Sequence, residues 1–250
     1  MREGEPSGGQ KYLKHTGKES LPVKIVSKKK IGRGIFGEVS FSETEIVNND
    51  KVKNKNFAVK LFKSEERALK ALNNFKKLKE SGLKVFTTYR LAEDGKSILM
   101  TYGDKPGSLL VSFNRSENLK YLENHPIKEI AGFGEFIDSM GEHAKLAADK
   151  KIIIPNDAYF FSVSDTADQD TKSMDFIIGD LDTITYPNQE GFDGNSDRKV
   201  FQNKESRIAE INLYYIGRAL GCFVETCIDK SSKPKYYALL DEKFKDRTQA

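Results

Sequence analysis

The stretch IGRGIFGEVSF, Ile31 to Phe41, carries glycines at Gly32, Gly34 and Gly37, with Val39 two residues after the last. Glycines spaced this way let backbone N–H groups approach phosphate oxygens, because no Cβ stands in the way and positive φ is tolerated. The same spacing serves dinucleotide sites, where the glycines close a strand and open a helix, and also hairpin turns that bind nothing. Here the following residues, EVSFSETEIV, alternate and include β-branched and aromatic side chains, so a second strand is expected in place of a helix. The spacing alone leaves two readings open, a loop over phosphates and a plain glycine-rich turn. Other reactive groups are sparse. Cys222 and Cys227 share one helical pattern with no second pair, and His15, His125 and His143 are scattered, so no zinc site, disulfide framework or nucleophile–base pair is expected.

The elements that must carry this loop are legible from periodicity. After a polar, aperiodic arm over residues 1–20, VKIVSKKKIGRG, EVSFSETEIV and NFAVKLF read as three strands, with NNDKVKNK as the turn between the last two. SEERALKALNNFKKLKESG repeats apolar residues at Ala68, Leu69, Leu72, Phe75 and Leu78, with Ser64 to cap it and Gly82 to end it, so a helix is expected. Strands follow near Val85–Leu91 and Ser97–Tyr102, separated by the turn AEDG. Beyond the GDKPG turn come a helix over EIAGFGEFIDSMGEHAKLAADKK interrupted at its glycines, strands in IIIPNDAYFFSV and MDFIIGDLDTI, and a last strong helix, RIAEINLYYIGRALGCFVETCI, followed by the short piece YYALLDEKFKD. The GFDG of Gly191–Gly194 reads as loop. Net charge is +4 with both signs plentiful, which does not call for nucleic acid, and the run Lys28-Lys29-Lys30 reads as solvated strand. No apolar run approaches the roughly 20 residues needed to cross a bilayer, so neither membrane nor nucleic acid is expected as a partner. A cytoplasmic protein is expected, or a secreted effector acting in a host cytoplasm.

Strand, glycine loop, strand, strand with F-A-V-K, helix, strand, strand resembles the N-terminal lobe of the protein-kinase-like superfamily, and ILMTYGDKPG resembles the strand and hinge that hold an adenine. The resemblance spans roughly Lys24 to Ile184. It implies an α+β, two-lobed fold: a flexible arm over 1–20, a five-stranded antiparallel N-terminal lobe over 21–103, and a reduced, mainly helical C-terminal lobe over 104–250. It further implies ATP and magnesium as cofactors. Ile31, Gly32, Gly34, Phe36, Gly37, Val39, Ala58, Lys60, Met100 and Tyr102 would line the nucleotide, Phe36 capping the loop tip and Val39 packing on adenine. Lys60 would offer its ammonium to the α- and β-phosphates, and a buried lysine on an apolar strand needs such an anion. The alternative is a lysine that snorkels from an edge strand. Asp180 would coordinate magnesium as a hard oxygen ligand, with Asp182 or Asp157 assisting; the alternative is a turn carboxylate at a strand end.

The resemblance fades at the catalytic loop. Asn73 and Asn74 stand about where the helix glutamate that pairs with Lys60 is expected, while Glu65 and Glu66 lie about two turns earlier. No H-R-D-x-x-x-x-N occurs. Asp157, after Pro155 and Asn156, fills the place of the catalytic base or of the metal-binding asparagine, or is a turn residue ahead of a strand. Asp180-Leu181-Asp182 replaces D-F-G, and no A-P-E follows. Two functional expectations result: an atypical kinase transferring a phosphoryl group, or less conventionally a nucleotidyl group, from ATP to an acceptor such as a protein hydroxyl, a small alcohol or an amino sugar; and a pseudokinase that holds nucleotide or a protein without transfer. A third is an adaptor that binds no nucleotide.

Overall fold

The structure, a computed structural model of the 250-residue chain, describes residues 23–33, 37–48, 51–87, 89–92, 94–101, 108–112, 117–168, 170–187 and 207–244. The expected arm over 1–20, Gly34, Phe36, Tyr102, the GDKPG turn and the GFDG stretch lie outside the described residues. Both helices and strands are present, as the mixed composition of the pattern demanded. No helix among the described residues is long and apolar enough to cross a membrane. The chain divides into two compact units, Met1–Leu72 with Thr87–Tyr102, and Asn73–Phe86 with Gly103–Ala250.

In the first unit, strands β1 (Val23–Arg33), β2 (Gly37–Asn48), β3 (Lys51–Phe62), β4 (Tyr89–Leu91) and β5 (Ser97–Thr101) form an antiparallel sheet in the order β1-β2-β3-β5-β4. The polar stretch expected as a turn between β2 and β3 is mostly strand. Pairing continues out to Asn48↔Lys51, so only positions 49 and 50, Asn-Asp, separate the two strands. Two residues of that type suffice for a hairpin connection, and a continuous backbone ladder carries polar residues that a propensity reading assigns to loop. The AEDG turn is built around Asp94, which accepts from the Lys96 and Ser97 N–H groups at 3.0 and 2.7 Å and from the Ser97 hydroxyl at 2.7 Å.

Helix α1 (Glu65–Glu80) begins at Ser64, whose Oγ accepts from Arg67 N–H at 3.4 Å. It ends in a Schellman arrangement: Leu83 N–H donates to Leu78 O and Gly82 N–H to Lys79 O, with Gly82 at φ +77°, where a side chain would be strained. Its buried stripe is Ala68, Ala71, Asn74, Phe75 and Leu78, whereas Leu69, expected within it, is 46% exposed. At 100° per residue, positions 68, 71, 75 and 78 share a face from which 69 points away.

The second unit holds a four-stranded sheet in the order β6-β8-β9-β7, made of β6 (Ser108–Val111), β7 (Glu129–Ile130), β8 (Tyr159–Asp165) and β9 (Thr171–Ile178). Among the described residues four further helices are α2 (Glu117–Asn124), α3 (Phe133–Asp149), α4 (Ile208–Cys227) and α5 (Lys233–Phe244). Helix α3 is not interrupted at its glycines: Gly134 and Gly141 lie within it, and the chain ahead of Gly132 is strand β7. Val85, expected to open a strand with Leu91, instead forms an isolated parallel bridge to Ile178. The core of this unit is aromatic. Phe136 of α3 packs edge-on against Phe161 of β8 and Phe176 of β9, Phe161 meets Phe223 of α4, and Phe133 meets Tyr236 of α5 at 4.9 Å and 90°. Tyr236 also accepts the N–H of Ile130 at 2.7 Å, tying α5 to the sheet edge.

Candidate functional site

In the first unit the backbone on both sides of the glycine stretch is strand, with Gly32 opposite Val39 and Arg33 opposite Glu38. The register slips between Lys30 and Gly32, so Ile31 is an extra residue in β1, a local bulge beside the loop. A strand therefore follows the glycines, and the strand-then-helix arrangement of dinucleotide sites is excluded.

Lys60 sits on β3, flanked by β2 and β5, with Val39 opposite on one side and Ile98 on the other. An interior strand removes the alternative of a lysine snorkelling from an edge. Its side chain is only 8% exposed and shares a face with Ala58 and Phe62, because side chains alternate along a strand. Ala58 pairs with Met100 and Lys60 with Ile98, so these four residues lie on one face of two neighbouring strands, all buried. The Lys60 ammonium stands 4.6 Å from the centre of the Phe62 ring, close enough for attraction to the ring's negative face. Glu65 and Glu66 occupy the first turn of α1, where negative charge favours the helix dipole, and both are exposed.

In the second unit the segments that carry Asp157 and Asp180 adjoin the β8–β9 hairpin. Tyr159 is opposite Ile178, and one step further Gly179 N–H donates to Ala158 O at 2.8 Å. The residue after Asp157 is thereby tied to the residue before Asp180. Asp157 lies in a single 3-10 turn, Asn156–Ala158, that opens after Pro155 and leads straight into β8. Gly179 is required by space: a Cβ there would fall 2.6 Å from the Phe160 ring and 3.0 Å from that of Phe86. Asp180 is half-buried at the head of a turn in which the Thr183 hydroxyl donates to its carbonyl at 2.7 Å. Asp182 is 4% exposed, between the fully buried Leu181 and Ile184.

Two asparagines hold these acidic segments: Asn74, read in the sequence only as standing where a glutamate is expected, and Asn212, not singled out there. Asn74 of α1, 3% exposed, donates through Nδ2 to Leu181 O at 2.7 Å and to Ile184 O at 3.5 Å, and its Oδ1 accepts the Tyr186 hydroxyl at 3.0 Å. Burial pushes that hydroxyl up to about 12. Asn212 of α4, fully buried, accepts from Ile154 N–H at 2.9 Å and donates to Ile152 O at 2.9 Å and to Ala144 O at 3.5 Å, just ahead of Pro155 and Asp157. Ile153 pairs in turn with Thr185 by hydrogen bonds of 2.9 and 3.2 Å, joining the Asp157 side to the Asp180 side. The available signal was a polar residue inside an apolar helical stripe, Asn212 between Ile211 and Leu213, and Asn74 beside Phe75.

Among the described residues no three ligand-type side chains are grouped to hold a metal by themselves. Magnesium that arrives with a nucleotide needs only one or two carboxylates, since phosphates and water complete its octahedron. Asp180, half-buried, and Asp182, 4% exposed, are two carboxylates carried by one turn. No family model matches the chain, and no curated protein matches it.

Proposed function

We propose that the chain is a kinase-like ATP-binding protein that transfers the γ-phosphoryl group to an acceptor hydroxyl or amine. The observation that carries this reading is Lys60, an ammonium buried on an interior strand beside Ala58 and Met100, next to a hairpin with glycines in its turn. A buried ammonium on an interior strand offers its donors in a fixed place, and phosphate oxygens are acceptors that such a group can meet. Lys60 would meet the α- and β-phosphates while backbone N–H groups of the glycine hairpin cover the phosphate chain. Asp180 would hold magnesium, assisted by Asp182, and the ion would neutralise charge developing on the transferred group. Asp157, one residue ahead of the Ala158 carbonyl that binds Gly179, would orient the acceptor and take its proton.

A pseudokinase is the second reading, and one observation favours it. The segment from Pro155 to the start of β8 spans a single 3-10 turn with Asp157 as its one acid. If Asp157 binds metal, that segment supplies no base. The test is transfer from γ-labelled ATP by the parent and by Asp157→Ala, with nucleotide binding followed in parallel. Loss of transfer with binding retained supports catalysis by Asp157. A parent that binds ATP and transfers nothing to water, protein or small hydroxyl acceptors supports the pseudokinase.

A further inference from the structure

We propose that Asn74 is a positioning residue for the metal-binding carboxylates, acting through the backbone of the Asp180–Ile184 turn. The proposal rests on the reading of Asp180 and Asp182 as magnesium ligands. A carboxamide with Nδ2 2.7 Å from Leu181 O and 3.5 Å from Ile184 O spans the turn that carries both acids. Its orientation is fixed by both sides, because Oδ1 accepts the Tyr186 hydroxyl at 3.0 Å and a flipped amide would set Oδ1 against the carbonyl oxygens of Leu181 and Ile184. Tyr186 is itself held, with the Lys77 ammonium 4.5 Å from its ring centre. Asn74, Lys77 and Leu78 lie on the same part of α1, so the helix end closed by Gly82 is the fixed wall against which the acidic turn is hung.

The chemistry sets the requirement at position 74: two donor hydrogens toward carbonyls and one acceptor toward a phenol. Aspartate has the same shape and keeps the acceptor, but ionised it has no donor and sets a negative charge against two carbonyl oxygens. Protonated, it regains one donor. Partners that orient metal ligands are typically worth about 10- to 100-fold in metal affinity.

The experiment compares parent, Asn74→Asp and Tyr186→Phe. Mn²⁺ binding in the presence of a non-hydrolysable ATP analogue is read by electron paramagnetic resonance from pH 5.5 to 8.5. ATP affinity in EDTA and amide hydrogen exchange are measured alongside. At pH 8, Asn74→Asp is expected to weaken Mn²⁺ by about tenfold or more while metal-free ATP affinity stays near the parent's, and the variant-to-parent affinity ratio is expected to climb as pH falls. Tyr186→Phe should shift Mn²⁺ affinity in the same direction by less. Faster exchange at the Thr183 and Thr185 amides, which donate to Asp180 O and Ile153 O, should accompany both. Mn²⁺ affinity unchanged in Asn74→Asp, or metal and metal-free ATP affinity lost in equal measure, overturns the positioning role. A parent that binds neither Mn²⁺ nor the analogue overturns the nucleotide reading itself, a failure distinguishable because the exchange measurement needs no ligand.

Discussion

The N–H of Gly179 donates a 2.8 Å hydrogen bond to the carbonyl of Ala158, joining the two strands of the β8–β9 hairpin one residue beyond their last paired side chains. Asp157, in the 3-10 turn ahead of β8, and Asp180, in the turn after β9, each adjoin one partner of this bond. The backbone on which they sit is held by this pairing and by Gly179, beside which the Phe160 and Phe86 rings pack with their centroids 6.2 Å apart.

Gly179→Ala is expected to destabilise the protein by about 2 kcal/mol, the usual scale of overpacking against rings that cannot withdraw. Urea unfolding gives the value. Pairing the change with Phe160→Leu should recover part of the loss, because the nearest contact to the added methyl is the Phe160 ring at 2.6 Å. A fully neutral Gly179→Ala would show that the rings do not close over this position.

Asn212→Ala is expected to cost about 3 kcal/mol, since it strands the buried Ile154 N–H and Ile152 carbonyl, each unpaired group costing about 1–3 kcal/mol. Chemical denaturation checks it. Asn212→Leu should be no better, because filling the volume leaves the same two backbone groups without partners.

The two cysteines are expected to differ in reactivity. Burial, with a smaller contribution from Glu123, pushes the Cys227 thiol up to about 12, whereas Cys222 is exposed. A raised folded-state value favours the neutral thiol in the native protein. Its contribution is fully present below the unfolded value near 9 and is lost as pH rises from there toward about 12. Titration with a disulfide reagent at pH 8 should give one fast equivalent in the native protein and a second only on unfolding. Two fast equivalents would contradict the burial of Cys227.

Local signals made part of this legible in the sequence. Ser64 and Gly82 bound α1 through contacts within a few residues, and the alternation after Gly37 announces β2 ahead of any partner. Lys60 and Ala58 share a face by strand period alone. The rest depends on distant chain. Asn74 acquires its meaning from Leu181, 107 residues on, and Asn212 from Ile154, 58 residues back. The polar half of β3 is strand because β2 supplies a ladder out to Asn48, a cooperative effect that residue preference does not encode. Short strands such as β6 and β7 owe their assignment to β8 and β9, which lie well over thirty residues away.

The most direct measurement is a thermal-unfolding titration of the parent, Lys60→Ala and Asp180→Ala with ATP, with and without magnesium. The parent is expected to gain about 2.7 kcal/mol at a hundredfold excess of Mg·ATP over its dissociation constant. Lys60→Ala should fold and lose most of that gain under both conditions. Asp180→Ala should lose only the part that magnesium adds. An ATP-induced stabilisation equal in all three proteins, or absent from the parent, would contradict the proposed roles of Lys60 toward ATP and of Asp180 toward magnesium.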